Sequence, residues 1–292
     1  MRECPADFAA KLERYIDILS VTKVKYGILS PKLVVGMDET SAQLVSVAKR
    51  TRAIKGAKRV RSIGIGNEKP AVTVTIACNA DGDVLETQII FQGTTKRCHA
   101  KVNPPPGCYF THTKSHWQTP DTFVEWVDTV ILPYKKKALQ DLELPANHYM
   151  ILILDLHYSH KDEDKSLKIL SDNNIVPIFI PAGCTDQIKV LDVCCNKPFK
   201  VAIKKAFRDY VHLKFTEFVD ANAGRPEQFV VPLNALAIKP QLPAFVAKGI
   251  AALKTPQMKA TIVECFKKEG CLTIASSPER VNAATTALSG EG

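Results

Sequence analysis

The chain has 292 residues, 46% of them apolar and 24% charged. This is the composition of an ordinary globular protein and excludes disorder over most of its length. Its longest apolar stretches, Tyr149–Leu154 and Ile175–Ala182, fall far short of the ~20 residues that span a bilayer. Charged residues from Arg2 to Arg14 precede any apolar run, so this segment is not expected to be a secretory signal. Lys and Arg number 39 against 30 Asp and Glu, a net charge of +9, and that excess favours a polyanionic partner.

Phe8, Leu12, Ile16 and Leu19 stripe one face of an N-terminal helix. Ser30-Pro31 breaks it, and Leu33–Met37 reads as a buried strand ending in Asp38-Glu39-Thr40. From Lys49 to Arg61 seven of thirteen residues are basic: Lys49, Arg50, Arg52, Lys55, Lys58, Arg59 and Arg61. The run suits a phosphate-contacting loop, where each neutralised phosphate releases counterions, and equally a solvated loop or an import signal. Ala71–Ala77 and Val84–Phe91 read as two antiparallel strands joined by a turn at Asn79–Gly82. Gly93–Pro120, with three consecutive prolines at 104–106, is expected to be an irregular surface excursion.

Thr119-Pro120-Asp121 starts a helix running to about Leu132. Tyr149–Asp155 is nearly all apolar, as a central strand covered on both faces would be. Helical residues at Asp162–Ser171, another strand at Ile175–Ile180 and a long helix from Asp192 to Phe218 follow. A last helical region covers Ala244–Lys268, and Ser276–Gly292 is a polar tail. The expected architecture is α/β: a mixed five-stranded sheet of RNase H-like plan, with helices on both faces and a C-terminal helical region. The chain divides into an N-terminal helical linker (1–31), a main domain (32–275) and the tail (276–292). Its nine cysteines form no regular framework, and no C-x-x-C pair spaces ligands for zinc. A reducing intracellular compartment fits them.

Three aspartates hold comparable places: Asp38 ends the first strand, Asp155 ends the fourth, and Asp192 starts the long helix. If those strands are neighbours, the carboxylates converge where Mg²⁺ could serve phosphodiester chemistry. Each alone is also what a strand end or a helix cap carries. Glu39, next along the strand, is expected to point to the other face.

Val34–Thr40 (VVGMDET), Ile151–His160 (ILILDLHYSH), Ile180–Lys200 (IPAGCTDQIKVLDVCCNKPFK) and Ile262–Gly270 (IVECFKKEG) resemble the motifs of pogo and Tigger transposases. Jerky proteins and centromere protein B are relatives of that family. The 36 residues between Asp155 and Asp192 are close to its usual spacing. The resemblance implies a DDE endonuclease with Asp38, Asp155 and Asp192 as catalytic metal ligands, and Mg²⁺ or Mn²⁺ as cofactor. It implies DNA transposition: phosphodiester cleavage, then joining of the 3′-hydroxyl to target DNA, in the nucleus. Asn196 and His160 match family positions beside the metals and are candidates to orient them. Lys197, Lys200 and Lys204 make the long helix basic and suited to DNA backbone, as the run from Lys49 to Arg61 is.

Two departures fall beside the aspartates. Leu156-His157 stands where the family has Asn and a small residue, and Lys189-Val190 replaces its Gln-Pro before Leu191-Asp192. The family's paired helix-turn-helix modules, which read transposon ends, are expected to be missing from this chain. A catalytically silent, domesticated nuclear DNA-binding or interaction protein is therefore carried as the alternative, and an RNase H-like nuclease acting on other nucleic acids as a third. No membrane partner is expected, and a homodimer is left open.

Overall fold

The computed structural model describes residues 7–43, 71–184, 188–222, 229 and 235–271. The apolar and β-branched runs form six strands: β1 (Val34–Gln43), β2 (Ala71–Asn79), β3 (Thr87–Gln92), β4 (Cys108–Thr113), β5 (Met150–Leu154) and β6 (Ile175–Phe179). They make one sheet in the order β4-β3-β2-β1-β5-β6. β1, β2 and β3 are successively antiparallel, while β5 runs parallel to β1, β6 to β5 and β4 to β3. An antiparallel triplet flanked by two parallel strands is the RNase H-like plan, so the mixed sheet matches expectation with one strand added.

The added strand, β4, lies inside the stretch expected to be irregular. Prolines 104–106 cannot supply ladder donors, but they end before it. Gly107, at φ 74°, turns the chain, and Tyr109–Thr113 are good strand formers. A parallel neighbour needs a crossover of about a dozen residues or more, and the run from 93 to 107 provides it. At the opposite edge, β6 carries Pro177 in register with Leu152.

The register around β1 creates the site. β1 pairs with β2 along its whole length, from Val35↔Asn79 to Gln43↔Ala71, but with β5 only from Val34↔Ile151 to Gly36↔Ile153. Beyond Gly36 the sheet forks. Asp38 stands on one prong and Asp155, one residue past β5, stands on the other.

Helix α1 (Phe8–Lys25) packs into the same core: Leu19 is fully buried, and Phe8, Leu12 and Ile16 are partly buried against it. Lys23 Nζ donates to the Cys271 carbonyl at 3.1 Å. Helix α2 (Pro120–Trp126) begins on a Thr119–Thr122 capping box and continues through a wide turn, Val127–Ile131, into α3 (Leu132–Asp141). It thus outlasts the stop expected near Leu132, because the wide turn accommodates Pro133 and its missing N–H. A second wide turn, Glu163–Leu167, leads into α4 (Lys168–Asp172).

The long helix α5 (Asn196–Ala221) follows a third wide turn, Leu191–Cys195. It buries Phe199, Ile203 and Phe207, which recur at four-residue spacing along one face. The C-terminal helical region is two helices, α6 (Leu242–Leu253) and α7 (Pro256–Lys268), separated where Thr255 caps the second. α6 approaches α5 closely: a Cβ on Gly249 would lie 2.6 Å from the Phe199 ring. Among the described residues no helix is long and apolar enough to cross a membrane.

Candidate carboxylate centre and nucleic-acid interface

The three aspartates meet at the fork through two side chains that touch more than one of them. Lys189 Nζ donates to Asp38 Oδ1 at 2.5 Å and to Asp155 Oδ2 at 3.2 Å. Asn196 Nδ2 donates to Asp38 Oδ2 at 2.6 Å and to Asp192 Oδ1 at 2.7 Å. Asp192 sits in the wide turn Leu191–Cys195 and Asn196 is the first residue of α5. The four-residue offset puts both on one side of the helix start. One oxygen from each of Asp38, Glu39 and Asp155 falls within a sphere of mutual distances no greater than 4.8 Å.

Lys189 is 3% exposed and Asp38 5%, so this ion pair is out of water, where an unpaired charge is expensive. Burial pushes the Asp38 carboxyl up to about 7, further than Lys189 pulls it back. Burial also disfavours the Lys189 ammonium, but Asp38 and Asp155 outweigh it and hold the lysine charged. Asp155 is less buried. Burial works against its ionised form, yet His160 and Lys189 together bring it well below the usual carboxylate range. The lysine and Asp155 therefore carry full charges, and Asp38 bears the strain of the crowding.

His160 is fully buried behind Asp155. Its Nδ1 lies 3.2 Å from the Asp155 carbonyl and 3.0 Å from Asp155 Oδ1, and its Nε2 lies 2.9 Å from Glu39 Oε1 and 3.0 Å from Gln118 Oε1. The contact with Oδ1 is within ion-pair range but off hydrogen-bond geometry, since that oxygen has no hydrogen-bond partner. Glu39 thus does not turn away from the centre as strand alternation suggested. Past Gly36, among the described residues, no neighbouring strand covers that side of β1, and the longer side chain reaches His160. Gln118, 1% exposed, was not singled out in the sequence; nothing in its local pattern distinguishes it.

Of the departures noted in the sequence, Lys189 forms the ion pair just described. Leu156 is 45% exposed, and His157 Nδ1 lies 2.6 Å from Ser159 Oγ in the turn after β5. Lys197, Lys200 and Lys204 are all exposed on α5, and Val193 and Val201 are exposed in the same stripe. The stripe begins one residue beyond Asp192. It can meet a polyanion running past the fork, with ammonium groups for phosphates and apolar side chains for sugars. The basic run Lys49, Arg50, Arg52, Lys55, Lys58, Arg59 and Arg61 lies outside the described residues.

Residues 69–235 match the family described as DDE superfamily endonuclease. The human protein "Pogo transposable element with ZNF domain" is 26% identical over 213 residues, covering 73% of this chain and 13% of that protein. The mouse "Pogo transposable element with KRAB domain" is 25% identical over 177 residues, covering 60% of this chain and 27% of that protein. The chain therefore spans well under a third of these relatives' length. Among solved structures, the pre-cleavage Mos1 transpososome is similar at 11% identity and a TM-score of 0.44, over 92% of this chain and 66% of that one.

Proposed function

We propose, for a chain that belongs to the DDE superfamily endonucleases as a pogo/Tigger-like transposase domain, that it holds DNA beside a carboxylate centre carrying its own cation. The single observation behind this reading is the buried Lys189 ammonium bonded to both Asp38 and Asp155. A lysine ammonium is a compact point charge. Here it fills the space between two carboxylates that a Mg²⁺ or Mn²⁺ ion would have to share.

The donor set is half suited to such an ion. Three hard oxygen ligands converge, as Mg²⁺ requires, but Lys189 already stands between two of them, and the Asn196 amide directs its N–H groups at Asp38 and Asp192. In this arrangement Lys189 Nζ stands between Asp38 and Asp155, so an ion shared by those carboxylates would have to displace it. The reading is therefore a DNA-binding domain of transposase descent, acting in the nucleus, that has kept the triad without using it to cut.

DNA would lie along the exposed face of α5, with Lys197, Lys200 and Lys204 neutralising phosphates. Contacts of this kind position the backbone without reading bases. The oxygens of Asp38, Glu39 and Asp155 within 4.8 Å of one another, with Asp192 tied to Asp38 through Asn196, favour a second reading, a metal-dependent endonuclease and strand transferase in which Lys189 is displaced.

One pair of measurements separates the two. Duplex binding is followed against salt, and supercoiled plasmid is incubated with the protein in Mg²⁺ or Mn²⁺. The first reading expects binding that weakens as salt rises, with a log–log slope that flattens by about 0.9 for each of Lys197, Lys200 and Lys204 replaced by Ala. It expects no metal-dependent nicking. Nicking that needs Mn²⁺ and is abolished by Asp155→Asn would overturn it in favour of the second. A salt slope unchanged in the triple variant would remove α5 from the interface.

A further inference from the structure

At the far edge of the sheet from the aspartates, the crossover between β3 and β4 brings Cys98, His99 and His112 together. We propose that these three residues bind a borderline divalent transition metal, Zn²⁺ first among them, leaving a fourth position open to water or a partner's ligand. One donor atom from each lies within 4.8 Å of the other two, and all three residues are partly buried. One thiolate and two imidazoles form a nitrogen–sulfur set that suits zinc. The oxygen donors at the fork differ in kind.

The two imidazoles face each other nitrogen to nitrogen, with His99 Nε2 3.0 Å from His112 Nδ1. Two ring nitrogens at that separation can share only one proton, so one lone pair always points into the gap. Tetrahedral zinc with Zn–N bonds of 2.0–2.1 Å holds its nitrogens about 3.3 Å apart. The two nitrogens therefore need to part by only a few tenths of an ångström to share an ion. The rings are held for it. His112 is on β4 opposite Phe91. His99 packs on Phe91 and Phe110 at centroid distances of 5.5 and 5.9 Å, and meets His112 edge-on at 5.0 Å.

The third ligand is positioned by backbone. Cys98 ends a short turn, Lys96–Cys98, and lies against Gly93 just past β3. Gly93 has φ 150°, and a Cβ there would lie 2.4 Å from Cys98 Cβ, so only glycine lets the chain close over this cysteine. Bound metal would pin the crossover 93–107 to β4 and stiffen that edge of the sheet.

The test uses the reduced, full chain and Co²⁺ as a spectroscopic probe, titrated in the absence of DNA. One equivalent should produce the visible bands of four-coordinate cobalt with a thiolate charge-transfer band, and Zn²⁺ should displace both. Cys98→Ser should abolish the charge-transfer band, and His112→Ala should weaken binding at least tenfold. If either variant fails to fold, X-ray absorption on the zinc-loaded wild type decides, with one sulfur and two imidazole nitrogens expected around the metal. No four-coordinate bands in the wild type would overturn the proposal. So would bands that survive Cys98→Ser, or two or more sulfurs at the metal. Those results would move it to thiols such as Cys78, Cys194, Cys195 and Cys265.

Discussion

Replacing Lys189 by Gln, the residue the pogo and Tigger pattern has there, tests the internal cation directly. In the wild type the ammonium satisfies Asp38 and Asp155 at 2.5 and 3.2 Å with 3% of its own surface exposed. Removing one partner of a buried ion pair costs about 3–5 kcal/mol. A Gln amide can still donate to one of the two carboxylates, so the lower end, ~3 kcal/mol, is expected. In a domain of this size each kcal/mol moves Tm by ~2–4 °C, so Lys189→Gln in chelator should melt about 6–12 °C below the wild type. The loss should grow with pH. Asp38 is held near 7 with Lys189 beside it, and without that ammonium its carboxyl rises further, so the two proteins diverge as pH climbs through 7.

Vacating the ammonium should also open a place for metal. Mn²⁺ or Mg²⁺ at a hundred times its dissociation constant returns about 2.7 kcal/mol, most of the loss, whereas the wild type should not respond. Thermal unfolding of both proteins in chelator and in each metal is the assay. Equal melting in chelator, or equal metal stabilisation of both proteins, would refute the reasoning.

Two further expectations follow from neighbouring geometry. Burial disfavours the His160 cation, but Asp155 and Glu39 outweigh it and raise its pKa to about 9; its stabilisation is complete below 6.5 and is lost as pH rises through 9. Urea unfolding between pH 6 and 10 should show that decline in the wild type and a flatter profile in His160→Gln. Gly249→Ala would drive a methyl to 2.6 Å from Phe199, an overpacking expected to cost about 1–3 kcal/mol. An unchanged urea midpoint would mean that α5 and α6 are not held as close as they stand.

Much of the sheet was legible because its strands carry strong, ordinary signals. Val72–Ala77 alternate β-branched residues, and Met150–Leu154 form an unbroken apolar run that a doubly covered strand requires. Asp155 at the end of its strand was legible for the same reason, whereas Asp38, expected to end the first strand, lies inside β1, which runs on to Gln43 paired with β2, and Asp192, expected to start the long helix, sits in the wide turn ahead of it. β4 was not, because the prolines ahead of it dominate the local pattern, although Tyr109, Phe110 and Thr111 carried the strand signal. Lys189 stood out only as a departure from a motif. That its four-carbon stem crosses to two different strands depends on where β1 and β5 part company, which no spacing along the chain encodes. Glu39 misled for a related reason: alternation rules assume a neighbour on each side, and beyond Gly36 β1 has lost one. The grouping of Cys98 with His112 depends on β4 lying beside β3 and was invisible without that strand.

Pro177 bears on how copies of this chain can associate. Ile180 N–H donates to the Leu154 carbonyl at 2.8 Å, so along β6 the even-numbered amides face β5 and the odd-numbered ones face outward. Pro177 is the middle member of the outward set, between Ile175 and Phe179, and offers no donor. An incoming strand would find its ladder interrupted at the centre of a five-residue edge. This is a common way for a sheet to discourage strand addition and fibrous growth. The β6 edge is thus a poor template for a continuous intermolecular sheet, and any pairing of copies on this side must be made by side chains.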